Sequence, residues 1–283
     1  MSEQTCDRYG VAQQGTSANR PRNAWDGFTY YDTDLRSLLV WDATVKNWFA
    51  ARGGLLYSAA TPRMMSDDFK GSAIDSRYSL AKGSDNLAAY PAHVAGKHYG
   101  EVALVTGDAG DTTAHDASAL AGPAVEWEAE EGEITLEFRF KLSAITDVAC
   151  FIGLTDTLPA TTLEMPATLA TTTYTTTATD AVGLLFDTAA TTDTLRAVGV
   201  KADTDATHVN TSLAPVADTY EEWKIVVSTA GVAKFYKKIT GVWTLKATVE
   251  NSVSPGVDLV PIAIAEARTT ASRTLSLDYW SMK

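Results

Sequence analysis

Cysteine is scarce in this chain of 283 residues: there are two, Cys6 and Cys150. Two thiols cannot build the disulfide framework that holds a small secreted fold together. Histidine is scarce too, at four residues. His93 and His98 stand five apart, which fits neither a helical i,i+4 pair nor a zinc-ligand spacing, so no metal or cofactor is expected. Basic residues number 23 against 35 acidic ones, a net charge of −12. Phosphate binding needs a basic face, so nucleic acid is not an expected partner. The same charge disfavours an anionic membrane surface, and no run approaches the ~20 apolar residues of a membrane span. The polar first twenty residues have no apolar h-region and do not read as a secretory signal. No Gly-x-Ser-x-Gly elbow, phosphate loop or dinucleotide fingerprint occurs, and helical periodicity is nearly absent.

What is present is β pattern. Hydrophobic residues make up 45% and charged residues 20% of the chain, ordinary for a globular protein. Ile134, Leu136, Phe138, Phe140 and Leu142 alternate with polar residues, the mark of a strand with one buried face. Apolar or alternating runs at 148–154, 181–186, 195–200, 222–228, 232–236, 243–249, 259–265 and 274–280 follow, with polar turns between them. Many short strands at even spacing mean a sandwich or jelly roll. Cys150 lies within such a run and reads as a small buried hydrophobe. The Thr/Ala-rich stretch 160–180 reads as a long hairpin or loop excursion, either surface filler or a partner-facing loop.

The N-terminal quarter differs. Residues 1–63 carry seven basic and six acidic residues, whereas 64–283 carry sixteen and twenty-nine. A nearly neutral piece joined to an acidic body suggests one part that docks and one that faces water. Residues 1–17 read as an extended arm, ordered only against a partner. Cys6, in that arm, is either a free thiol in a reducing compartment or an interchain disulfide in an assembly. Phe28–Tyr31, Leu38–Trp41 and Lys46–Phe49 are β runs separated by Asp-rich turns, a miniature meander. It is too small to bury a core alone, yet it holds Trp25, Trp41 and Trp48, three of the seven tryptophans. Such rings either pack on the rest of the chain or clasp other subunits, and we read the second. The contact set is then Trp25, Phe28, Tyr30, Tyr31, Leu38, Val40, Trp41, Trp48 and Phe49.

Two features invite chemistry. Glu126, Glu128, Glu130, Glu131 and Glu133 form an acidic cluster. Sandwich hydrolases place paired carboxylates at alternating strand positions, where two side chains flank one glycosidic bond. Glu126 and Glu128 alternate, but no second carboxylate strand is evident nearby, and the cluster reads as a solvated turn. Asp108, Asp111 and Asp116 supply oxygen ligands in one loop, but without a diagnostic calcium spacing.

Particular residues then carry two resemblances. Gly15-Thr16, Arg20-Pro21, Tyr31-Asp32-Thr33, Val40-Trp41 and Asn47-Trp48 resemble a short module recurrent in tailed-bacteriophage virion proteins. The glycine usual before its last strand is missing, and Asp42-Ala43-Thr44-Val45 stands there. Asp67-Asp68-Phe69 with Gly71, residues 124–156 and residues 270–283 resemble phage proteins with a concanavalin-A-like (laminin-G-like) jelly roll. The resemblances imply an all-β chain: the arm 1–17, a Trp-rich β-meander attachment and trimerisation module at 18–54, a linker at 55–64 and a jelly-roll sandwich at 65–283. They imply a non-enzymatic virion protein, a capsid decoration protein or head fibre. It would be a homotrimer, anchored to the major capsid protein or another virion protein, with the sandwich outward and holding host surface glycan weakly. A tail fibre or receptor-binding protein is the alternative, and a polysaccharide-degrading enzyme the second alternative. The carboxylate signature of sandwich glucanases is not matched.

Overall fold

The strict alternation at 134–142 forms a nine-residue strand at the centre of one sheet, and a β-sandwich is built around it. The structure is a computed structural model. It describes residues 13–21, 24, 28–33, 37–42, 47–52, 55–58, 65–70, 73–97, 100–108, 116–122, 127–157, 163–205 and 208–283. The chain divides into two compact units, one comprising residues 1–67 and 282–283, the other residues 68–281. No helix among the described residues is long and apolar enough to cross a membrane.

The smaller unit is the expected meander, with strands β1 (Gln13–Gly15), β2 (Thr29–Asp32), β3 (Ser37–Asp42), β4 (Asn47–Arg52) and β5 (Leu55–Ser58) in that order. Strand β1 runs parallel to β2, and the remaining pairs are antiparallel. Strand β5 lies in the stretch expected as linker and pairs with β4. The alternation of β2 turns Tyr30 and Asp32 inward and Tyr31 outward. Phe28, Tyr30, Leu39 and Trp41 form a small core. Buried Asp32 sits against the Arg20 guanidinium at 2.8 Å and accepts a hydrogen bond from the Ser17 hydroxyl at 2.8 Å.

In chain order the next strands are β6 (Met65–Asp67), β7 (Ser79–Lys82), β8 (Ala92–His93), β9 (Val102–Val105) and β10 (Ser118–Ala121). They are followed by β11 (Ile134–Leu142), β12 (Val148–Thr155), β13 (Ala167–Ala170), β14 (Thr173–Thr176), β15 (Ala181–Asp187) and β16 (Arg196–Lys201). Then come β17 (Thr204–Asp205), β18 (Val209–Asn210), β19 (Glu221–Val227) and β20 (Ala233–Ile239). The last are β21 (Val242–Val249), β22 (Val260–Ala267) and β23 (Thr274–Met282). One sheet has the order β17-β16-β15-β12-β22-β10-β7 and the other β21-β20-β19-β11-β23-β9-β8. The two form the concanavalin-A-like jelly roll anticipated from the sequence.

The two sheets differ in how water meets them. The second sheet follows the half-buried pattern. Phe138, Phe140, Trp223, Ile225, Phe235, Leu275 and Trp280 point into the core, while the alternate residues face out. The central strands β12, β15 and β22 of the first sheet are buried at every position and almost wholly apolar, because both of their faces are covered. Its outer face is covered by the Thr/Ala-rich excursion, which forms the β13–β14 hairpin. Leu163, Met165, Leu169 and Ala178 pack there on Phe151, Leu185, Val198, Ile262 and Ile264. The stretch read as surface filler or a partner-facing loop is therefore a lid on its own sheet. Its threonines take the solvent side while the interspersed Leu, Met and Ala bury. We call the sheets the covered sheet and the open sheet. Close packing beneath the lid needs Gly183, where a Cβ would come within 2.3 Å of the Phe151 ring.

The lid is fastened by charge. Asp187, at the end of β15, accepts hydrogen bonds from the Leu169 amide of the hairpin at 3.1 Å and from the Ala189 amide at 3.0 Å. Arg268 binds both Asp187 oxygens, at 3.0 and 2.6 Å, and reaches Glu266 at 2.9 Å. All three side chains are at least nine-tenths buried.

Candidate functional site

The outer face of the open sheet carries a connected group of charged and aromatic side chains. Register decides which residues meet. Glu222 of β19 lies opposite Arg139 of β11 and Lys224 opposite Glu137. Across the other edge of β19, Lys224 faces Tyr236, which faces Leu245, and Lys238 faces Trp243. Lys238 pairs with Glu222 at 2.6 Å, and the Tyr279 hydroxyl donates to the same carboxylate at 3.5 Å. Arg139 donates to Asp278 at 2.8 Å, and its guanidinium lies 4.2 Å from the centre of the Tyr220 ring. The Lys224 ammonium sits 4.7 Å from the Trp243 ring and 5.2 Å from Tyr236. Each of these cations is in cation–π range of a half-exposed ring. Burial pushes the Tyr279 phenol up to about 12, reinforced by the Glu222 and Glu137 charges and its hydrogen bond to Glu222. It therefore stays a donor at neutral pH.

Glu101 closes the network beside β9. It accepts a hydrogen bond from Tyr220 at 2.5 Å and pairs with Lys141 at 3.3 Å and Lys97 at 3.5 Å. Burial pushes its carboxyl up. The Tyr220 and Ser276 hydrogen bonds and the Lys141 charge outweigh that and hold it below its ordinary 4.5. A carboxyl with a depressed folded pKa adds stability above its unfolded value and loses it as pH falls through the folded one. Tyr220→Phe is thus expected to cost about 1 kcal/mol at neutral pH and to move the acid limb of unfolding to higher pH. Melting temperature followed from about pH 2 to 6 across the carboxylate range checks this, and superimposable acid limbs would refute it.

The acidic cluster is more than a turn. Trp127 makes an antiparallel bridge with Leu259, which brings Asp258 beside Glu128. The two carboxyls hydrogen-bond. That bond, burial and the negative charges of Asp258, Glu131 and Glu130 all raise the Glu128 pKa. Glu128 therefore keeps its proton to higher pH than an isolated glutamate. The second carboxylate was invisible in the sequence because it lies 130 residues away. Glu126 lies outside the described residues.

Other sequence-selected residues are dispersed. Of the contact set, Phe28, Tyr30 and Trp41 are buried within the small unit, Val40 is half-buried and Tyr31 is exposed. Trp25 and Cys6 lie outside the described residues, as do the side chains of Leu38, Trp48 and Phe49. Cys150 is buried, and burial pushes its thiol up to about 12, leaving an inert small hydrophobe. His93 belongs to β8 of the open sheet, while His208 stacks on Tyr174 at 5.5 Å. His98, His115 and Asp111 lie outside the described residues. Among the described residues no group of three or more His, Cys, Asp or Glu side chains is placed to hold a metal. Sequence reading passed over the residues of the open face. Their signal is the run 223–249, with five lysines and no acidic residue.

No protein-family model and no curated protein matches the sequence. Solved structures do share its fold. A β-glucanase from Bacillus licheniformis superposes with a TM-score of 0.52 at 12% identity, covering 79% of this chain and 99% of that one. A family 16 glycosyl hydrolase from Mycobacterium smegmatis gives 0.52 at 14%, covering 77% and 99%. LamAcat from Zobellia galactanivorans gives 0.51 at 10%, covering 77% and 96%. At such identity the likeness shows the fold, a concanavalin-A-like sandwich. It corrects two expectations drawn from the resemblance to phage proteins. A virion role, as capsid decoration protein, head fibre or tail appendage, finds no support, because these neighbours are glycan-cleaving enzymes. The expectation of a non-enzymatic protein falls with it. A sandwich shared with hydrolases gives no ground for excluding catalysis, and the Glu128–Asp258 pair removes the objection that no second carboxylate stands nearby.

Proposed function

We propose that this protein recognises polysaccharide chains laid across the outer face of the open sheet. The observation that carries the reading is the arrangement of Tyr220, Tyr236, Trp243 and Tyr279 among bonded Arg, Lys, Asp and Glu side chains on five neighbouring strands. A sugar ring offers an apolar face to an aromatic side chain and a rim of hydroxyls to charged groups, which donate and accept in fixed directions. Strands ~4.8 Å apart give the five-strand face a width of ~19 Å, room for an extended chain rather than a single small molecule. The shared fold with a β-glucanase and a family 16 glycosyl hydrolase supports glycan as the ligand class by analogy. Affinity electrophoresis through gels holding a neutral β-glucan, alginate or dextran sulfate tests it. Retardation by at least one polymer is expected, and free migration through all three would end the reading.

A second reading, glycoside hydrolysis, is favoured by the Glu128–Asp258 pair. A carboxyl with a raised pKa is the group a general acid requires, and Asp258 is a second carboxyl close at hand. Reducing ends released from the neutral β-glucan should then fall by about 10²-fold or more in Glu128→Gln. No release by the wild-type chain would remove this reading and leave recognition standing.

A further inference from the structure

The open face is not electrically neutral along its length. From Trp223 to Val249 the chain carries Lys224, Lys234, Lys237, Lys238 and Lys246 and no acidic residue, within a protein of net charge −12. This stretch makes β19, β20 and β21, one flank of the open sheet. Two of the lysines are neutralised. Lys237 turns inward to buried Glu221 at 2.9 Å, and Lys238 is held by Glu222 at 2.6 Å. Lys224 and Lys234 face outward and form no ion pair among the described residues, although Glu137 stands opposite Lys224 on β11. Lys224 is poised over Trp243 and Tyr236. Lys234 is exposed one strand over, beside Val226 and Thr248. That diagonal placement sets their Cα atoms ~7–8 Å apart. A stacking platform flanked by two ammonium groups held in no ion pair is complementary to a chain whose sugar rings bear negative groups.

On the reading that the open face binds polysaccharide, we infer that its ligand is an anionic polysaccharide carrying carboxylate or sulfate groups, which Lys224 and Lys234 bind. The strongly acidic remainder of the protein repels a densely charged polymer such as nucleic acid, whereas a polysaccharide with spaced charges meets the lysines while its rings cover the aromatics. The test is isothermal titration of the full chain with alginate, dextran sulfate, a neutral β-glucan and single-stranded DNA, using wild type and Lys224→Gln/Lys234→Gln. Both lysines are at the surface, and circular dichroism confirms that the double variant is folded. Binding of alginate or dextran sulfate is expected, weakening about tenfold between 50 and 200 mM salt, as two charge contacts predict. The double variant is expected to bind about tenfold more weakly and to lose most of that salt dependence. Equal affinity of both proteins for the charged polysaccharides would overturn the inference. So would a preference for neutral glucan, which leaves polysaccharide recognition intact. Single-stranded DNA bound as tightly as alginate would overturn it in favour of a general polyanion surface. Silence toward all four polymers would remove the recognition reading itself.

Discussion

Replacing Asp187 with alanine is expected to destabilise the larger unit by about 3 kcal/mol and to loosen the β13–β14 lid before the rest. The carboxylate performs two jobs at one point. It neutralises Arg268, whose side chain is 9% exposed, and it caps the Leu169 and Ala189 amides. Alanine leaves a buried guanidinium paired with Glu266 and takes the acceptor from two amides. The penalty of the orphaned groups dominates, because both side chains of the pair are buried. Asp187→Asn separates the two effects. It keeps an oxygen for an amide but removes the charge, and should fall between wild type and alanine. Urea unfolding measures the total, and hydrogen exchange at the Leu169 amide reports the lid. A loss below about 1 kcal/mol, in the range of a surface pair, would mean that apolar packing of Leu163, Met165 and Leu169 holds the lid unaided.

Trp243→Ala is expected to weaken polysaccharide binding by about thirtyfold while leaving the fold intact, as loss of one aromatic anchor at ~2 kcal/mol implies. Trp243 stands on edge strand β21 and is half-exposed, so its truncation opens no cavity in the core. It does remove the ring under Lys224 and Lys238. Both ammonium groups then lose their cation–π contact with it, and the sugar loses its apolar support. Trp243→Phe keeps a smaller ring and should retain part of the affinity. Titration with alginate or dextran sulfate reads the change. Unaltered affinity in the alanine variant would place the ligand elsewhere on the molecule.

Some of this architecture could be read before any coordinates. The period-two run from Ile134 to Leu142 could only be a strand with one wet face, because side chains alternate across a pleated backbone. The uninterrupted apolar runs at 148–154, 181–186 and 259–265 could be read as strands as well, but not as strands buried on both faces. That depended on where residues 163–178 fold back, and a Thr/Ala-rich stretch carries no address for the sheet it will cover. The same blindness hid Asp258 from Glu128. Their encounter comes from the Trp127–Leu259 bridge, a contact between distant segments. The virion reading failed for a related reason. Short motifs in the N-terminal module constrain local backbone but say nothing of what the large unit presents to solvent.

The sequence alone determined the secondary structure class, the sandwich, the inert burial of Cys150 and the acidic character of the whole. These depend on periodicity and composition, which are local or additive. Only tertiary structure decided which charges are spent on one another and which stay free. Lys237, Lys238 and Lys224 look equivalent along the chain. Strand alternation and register turn the first into the core and the second onto Glu222, and leave the third over Trp243. Pairing across strands is a property of the folded sheet, and on it rest the basic flank, the aromatic platform and the lid.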